Sequence, residues 1–142
     1  MNVTGAVLLV VVLLAAVAFA LVRRRTDGRL FAHRAEHDAE VITASDLGEP
    51  LGPRATFVQF SSAFCQPCRA TRQLLDEVSA MVDGVGHVEV DAEQNLSLVR
   101  RLDVMRTPTV FVLDADGRVV RRAVGQPRKA DLIAALGEVI PG

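Results

Sequence analysis

Residues 3–22 carry no charge and read Val-Thr-Gly-Ala-Val-Leu-Leu-Val-Val-Val-Leu-Leu-Ala-Ala-Val-Ala-Phe-Ala-Leu-Val. A helix needs about 20 apolar residues to cross a bilayer core, and this run supplies them. It predicts one N-terminal transmembrane helix over residues 1–22. Every charged side chain of the 142-residue chain lies after it. The rest of the chain is long enough to bury one core of its own.

Ala18-Phe19-Ala20 resembles a signal-peptidase site, because secretory signals end in small residues. Three features favour an uncleaved anchor instead. No Lys or Arg precedes the run, the run is longer than a usual signal core, and Arg23, Arg24 and Arg25 follow at once, with Arg29 and Arg34 close behind. Positive flanks stay on the cytoplasmic side. The expectation is therefore a single-pass protein of the cell membrane, held to lipid through residues 3–22, with its larger part in the cytoplasm. The extracytoplasmic side is the alternative.

The net charge of −1 gives no electrostatic ground for nucleic-acid binding, and without Trp or Tyr there is little to stack bases on. Lys129 is the only lysine. The preference for Arg, with abundant Ala, Val and Gly, points to a GC-rich bacterial genome.

Cys65 and Cys68 are the only cysteines and stand two residues apart in Phe64-Cys65-Gln66-Pro67-Cys68. A bridge over so short a loop restricts the unfolded chain little, so the pair reads as chemistry rather than as a staple. It follows the apolar run Thr56–Phe60 and opens a helical segment. A helix N-terminus favours the thiolate, the reactive form of cysteine. His33 and His37 are four apart in the charged juxtamembrane stretch 23–40, and with the two cysteines they would complete a two-His, two-Cys zinc set. A solvated linker and a redox dithiol explain the same residues more simply, so no metal is expected.

Beyond the linker the predicted elements follow in order. A short strand is expected over 40–43 and a turn or single helical turn over 45–48. A strand over 55–60 leads into a helix with the stripe Leu74, Leu75, Val78, Met81 and Val82. The next strand is 87–91, followed by a helix marked by Leu96, Val99 and Leu102. Strands 109–113 and 118–124 flank Asp114-Ala115-Asp116-Gly117, a hairpin signal. A last helix after Gly125-Gln126-Pro127 would bury Leu132, Ile133, Leu136, Val139 and Ile140. Parallel βαβ units followed by a hairpin and a helix give an α/β fold, a central mixed β-sheet flanked by helices, spanning 41–142.

From about Val41 to Ile140 the chain resembles thioredoxin. The resemblance is carried by Phe57-Val58-Gln59-Phe60 before the dithiol, Phe64-Cys65-Gln66-Pro67-Cys68-Arg69, Val88-Glu89-Val90-Asp91, Thr107-Pro108-Thr109, Asp116-Gly117 and Gly125. It implies a thioredoxin-like fold and assigns roles by position. Cys65 would be the exposed attacking thiol and Cys68 the buried resolving one. Pro67 would shape the first turn, Pro108 would be a cis-proline beside the dithiol, and Thr107 would offer backbone hydrogen bonds to a substrate chain, with Phe64 giving an apolar face. Only 39 residues separate Cys68 from Pro108, which leaves no room for the inserted domain of DsbA-like oxidases or the insertion of TlpA-like proteins.

Two departures stand out. The family's usual Trp before the first cysteine is Phe64, and its usual buried Asp aligns with Gln59, which cannot exchange a proton. His87 aligns with a Lys that neighbours that Asp. Gln66 replaces the usual Gly, and with Arg69 it would modulate thiolate stability. The resemblance implies a protein-disulfide oxidoreductase, in the cytoplasm a reductase, with the Cys65–Cys68 pair in place of any cofactor. Its partners would be disulfide-containing proteins and an upstream donor, thioredoxin reductase-like or another thiol. The rival readings are a non-catalytic thioredoxin-fold binding or tethering module and an extracytoplasmic disulfide-exchange protein.

Overall fold

The computed structural model describes residues 2–26, 28–32 and 40–142. Helix α1 (Val3–Thr26) has no buried residue. At 1.5 Å per residue it is roughly 36 Å long, against a hydrocarbon core of about 30 Å. It is long and apolar enough to cross a membrane, and a helix apolar all round with no protein against it suits a lipid surrounding.

The remaining elements are β1 (Leu30–Ala32), α2 (Ala44–Leu47), β2 (Ala55–Ser61), α3 (Gln66–Met81), β3 (Val85–Asp91), α4 (Leu96–Arg101), β4 (Thr109–Asp114), β5 (Val119–Val124) and α5 (Lys129–Val139). They build one five-stranded sheet in the order β1-β5-β4-β2-β3. β2 and β3 run parallel, joined by α3 as the crossover. β4 is antiparallel to both β2 and β5, and β1 is antiparallel to β5.

β2 sits inside the sheet and is buried along its whole length. Its side chains alternate between the two faces. Ala55 and Phe57 join Leu75 and Val78 of α3 and Leu132 and Leu136 of α5 in one core. Val58 and Phe60 join Phe111, Leu98, Leu102 and Ile42 in the other. Phe60 and Phe111 meet edge to face at 5.7 Å. Arg122 lies 5.1 Å over the Phe111 ring, and its guanidinium donates to the carbonyls of Leu102 and Asp103. The β4–β5 turn is held by Asp114, whose Oδ1 accepts from the backbone N–H of Asp116 and Arg118. Gly117 has φ 82°, and a Cβ there would lie 2.4 Å from the Ile42 carbonyl oxygen.

Three features differ from expectation. Residues 40–43 form no strand. Val41 makes an isolated bridge to Arg118 while Ile42 is fully buried. The outer strand is β1 instead, inside the stretch read as a linker, and its three residues are too few for a periodic signal. Met81 and Ile133, both placed in apolar stripes, are 60% and 44% exposed. Each falls at the rim of its helix's buried face, where the stripe has rotated toward solvent.

Candidate active site

The dithiol lies where β2 ends and α3 begins. Cys65 is the N-cap residue of α3, in extended conformation, with Pro67 in the first turn. Proline is accepted there because the first helical N–H groups have no partner within the helix. Thr71 then donates its hydroxyl to the Pro67 carbonyl at 2.8 Å. Cys65 and Cys68 are joined, S–S 2.06 Å. They differ in access: Cys65 is half-buried, whereas Cys68 is 2% exposed. Phe64, just before the pair, has φ 61° and projects fully into solvent.

A cleft of about 440 Å³ opens over the pair, lined by Ser61, Ser62, Phe64, Gln66, Arg69 and Arg72 besides the cysteines. Gln66 and Arg69 are exposed on its rim. Arg72 is tied to Glu89 of β3, whose carboxylate raises the guanidinium pKa further.

Beneath the pair lies Gln59, fully buried. Its Nε2 donates to the Cys68 carbonyl oxygen at 2.9 Å and to Ser61 Oγ at 3.0 Å. Its Oε1 is buried without a hydrogen-bond partner. The amide thus fixes the backbone of the buried cysteine, a structural task that a proton-exchanging group is not needed for.

The peptide bond Thr107–Pro108 is cis. Pro108 is buried and its carbonyl accepts from the Gly125 N–H at 2.8 Å. Ser62 and Thr107 share a hydrogen bond between hydroxyls at 2.8 Å, which links the dithiol loop to the cis-proline loop. Sequence reading missed Ser62 and Arg72. Ser62 joins a residue 45 positions away, and nothing in a pair of small hydroxyls announces such a contact.

His87 does not join this group. Gln59 pairs across the sheet with Glu89, while His87 pairs with Phe57. The His87 Nδ1 lies 2.7 Å from Asp76 Oδ1 and its Nε2 is buried without a partner. His33 and His37, the other half of the zinc alternative, lie outside the described residues.

A buried and a half-buried sulfur, closed into a bridge at a helix N-terminus, make a site for reversible thiol–disulfide exchange. Comparison with known proteins agrees. The Thioredoxin family model matches residues 39–138. A thioredoxin of Staphylococcus haemolyticus is 29% identical over 96 residues, covering 67% of this chain and 91% of the relative. The bifunctional thioredoxin reductase/thioredoxin of Mycobacterium leprae is 30% identical over 104 residues, covering 72% of this chain and 22% of that protein. Among solved structures, a mutant thioredoxin from Halobacterium salinarum superposes with TM-score 0.57 at 18% identity, over 63% of this chain and 77% of that one. Reduced Schistosoma mansoni thioredoxin pre-protein gives 0.54 at 22% identity, over 63% and 82%. The chain belongs to the thioredoxin family and is a thiol–disulfide oxidoreductase whose redox group is its own cysteine pair.

Proposed function

We propose that this protein is a membrane-tethered disulfide reductase in which Cys65 attacks and Cys68 resolves. The observation that carries the assignment is the difference in access between the two sulfurs at the start of α3. In the reduced protein the Cys65 thiolate attacks a substrate disulfide. A Cys65–substrate bond forms and the first substrate sulfur leaves, taking up a proton. The Cys68 thiolate then attacks Cys65, closes the intramolecular bridge and releases the second substrate thiol. Two electrons pass from protein to substrate, and the two protons the substrate thiols take up come from Cys68 and from solvent. The α3 N-terminus supports the Cys65 thiolate by about 0.3–1 kcal/mol, and the Arg69 charge acts in the same sense. With Gln59 in place of a carboxylate, the Cys68 proton passes to water in the cleft or to the departing sulfur. Phe64 and Pro67, both exposed, and Thr107, half-buried beside the cleft, supply the surface against which a substrate chain lies.

The bridge must be reopened by a thiol donor. A thioredoxin reductase-like enzyme fits, as the name of the Mycobacterium leprae relative joins the two activities. Helix α1 ties the domain to lipid, and Arg23, Arg24 and Arg25 at its end favour a cytoplasmic domain. Two measurements test the reading. Full-length protein should reduce insulin with a thiol donor, and Cys65→Ser should abolish turnover. Insulin reduction by the wild type no faster than by the thiol donor alone would leave only a binding or tethering module, and wild-type-like turnover by that variant would overturn the role of Cys65. A membrane-impermeant maleimide should modify Cys65 only after cells are permeabilised. Labelling of intact cells would place the domain outside and make it an extracytoplasmic exchange protein.

A further inference from the structure

The anchor joins the domain at the same end of the sheet as the dithiol. β2 ends at Ser61, four residues before Cys65, and Phe60 pairs with Thr109 at the start of β4. Thr109 pairs with Val124 at the end of β5. The Val124 carbonyl accepts from Gly28 at 2.8 Å, and β1 starts two residues later, with Leu30 opposite Ala123. These four strand ends stand in one row. With strands about 4.8 Å apart, Gly28 lies roughly 15 Å along that row from the end of β2.

The connection is short. Only Asp27, outside the described residues, separates Thr26 at the end of α1 from Gly28. Gly28 is buried with φ 78°, and a Cβ there would lie 1.9 Å from the Gln126 carbonyl oxygen. The chain is therefore tied to the β5–α5 turn immediately after the helix, which keeps this end of the sheet close to the end of α1. At this junction four arginines surround a recess of about 490 Å³: Arg24 and Arg25 from α1, Arg29 before β1, and Arg128 at the N-cap of α5. All four are exposed. Arg128 is also paired with Asp131 at 3.2 Å, so the net positive charge of the recess comes mainly from Arg24, Arg25 and Arg29.

We infer that this arginine recess binds the phosphate of anionic phospholipid headgroups and that this contact holds the dithiol end of the domain against the bilayer. The inference rests on the tethered reading above. A membrane-spanning helix ends inside the patch, so headgroup phosphates are the anions nearest to it, and each basic side chain near an anionic surface adds to the attraction. The dithiol then meets disulfides carried by membrane-held proteins, close to the headgroups, before it meets those in bulk solution.

The test uses full-length protein in vesicles with a nitroxide lipid at headgroup level. One sample carries a fluorophore on Cys65 in a Cys68→Ser background. The other carries it on Asp116→Cys, in a Cys65→Ser/Cys68→Ser background. Asp116 is exposed in the β4–β5 turn, the length of a six-residue strand, roughly 20 Å, from the dithiol end. With phosphatidylglycerol present, quenching should be strong at Cys65 and weak at Asp116. In pure phosphatidylcholine the difference should shrink, and inorganic phosphate should not restore it. Arg29→Gln and Arg128→Gln should each weaken the response to phosphatidylglycerol roughly fivefold. Equal or reversed quenching in protein that floats with the vesicles overturns this inference and leaves the tether intact. Recovery with phosphate alone overturns the lipid assignment. Protein that does not float overturns the tether and this inference together, while insulin turnover reports separately on the dithiol.

Discussion

Gln59 and Ser62 do two different jobs around one disulfide. The Gln59 amide holds the Cys68 carbonyl from below, and Gln59→Leu would leave that carbonyl and the Ser61 hydroxyl without this donor inside the core. The expected cost is about 1–3 kcal/mol, read from thermal unfolding of the oxidised protein. Gln59→Asp should put a titrating group where the wild type has none. Burial raises the pKa of a carboxyl, so the folded variant would hold its proton above the unfolded value of about 3.9. Its stability should then fall as pH rises past that value, and its exchange rate should gain a pH step absent from the wild type. Ser62→Ala removes the hydroxyl bridge to Thr107. A hydrogen bond worth about 1 kcal/mol corresponds to a roughly fivefold fall in insulin turnover if the two loops must be held together. The cysteines and Thr107-Pro108 are legible in the sequence because their residue types and order are distinctive. Ser62 is not, because its role exists only once β2 and β4 are paired.

α2 shows how a short element is held by its ends. Thr43 and Asp46 form a capping box: the Thr43 side chain accepts from the Asp46 N–H, and the Asp46 carboxylate accepts from the Thr43 N–H. Arg101 of α4 bonds the same carboxylate at 2.9 Å. This bond first, and the capping bonds after it, hold Asp46 well below the usual carboxylate range. The sign follows directly. The unfolded Asp titrates near 3.9, so the stabilisation is complete above about that pH and is lost as pH falls below it. Asp46→Asn should therefore destabilise at neutral pH, by about 0.2–1 kcal/mol for the partly exposed pair with Arg101, and its difference from wild type should shrink in acid. A difference that grew in acid would contradict the assignment. Elements with long periodic faces, such as α3, or with continuous apolar runs, such as β2 and β4, are readable from sequence. β1 is not: three residues gain their strand character only from the free edge of β5.

The whole molecule is a thioredoxin domain whose sheet extends by one strand toward the apolar helix α1. The sequence pattern separates anchor, linker and domain, but pairing of β1 with β5 draws residues 30–32 into the folded unit and shortens the connection. The end of α1, the edge strand and the dithiol then share one end of the sheet. The chemistry at that end is tested most directly by trapping. Full-length Cys68→Ser, reduced and mixed with oxidised insulin, should accumulate a covalent adduct at Cys65 that mass spectrometry locates and a strong thiol reductant releases. Full multiple turnover without an adduct, or no reaction at Cys65, would contradict a mechanism in which Cys65 attacks and Cys68 resolves.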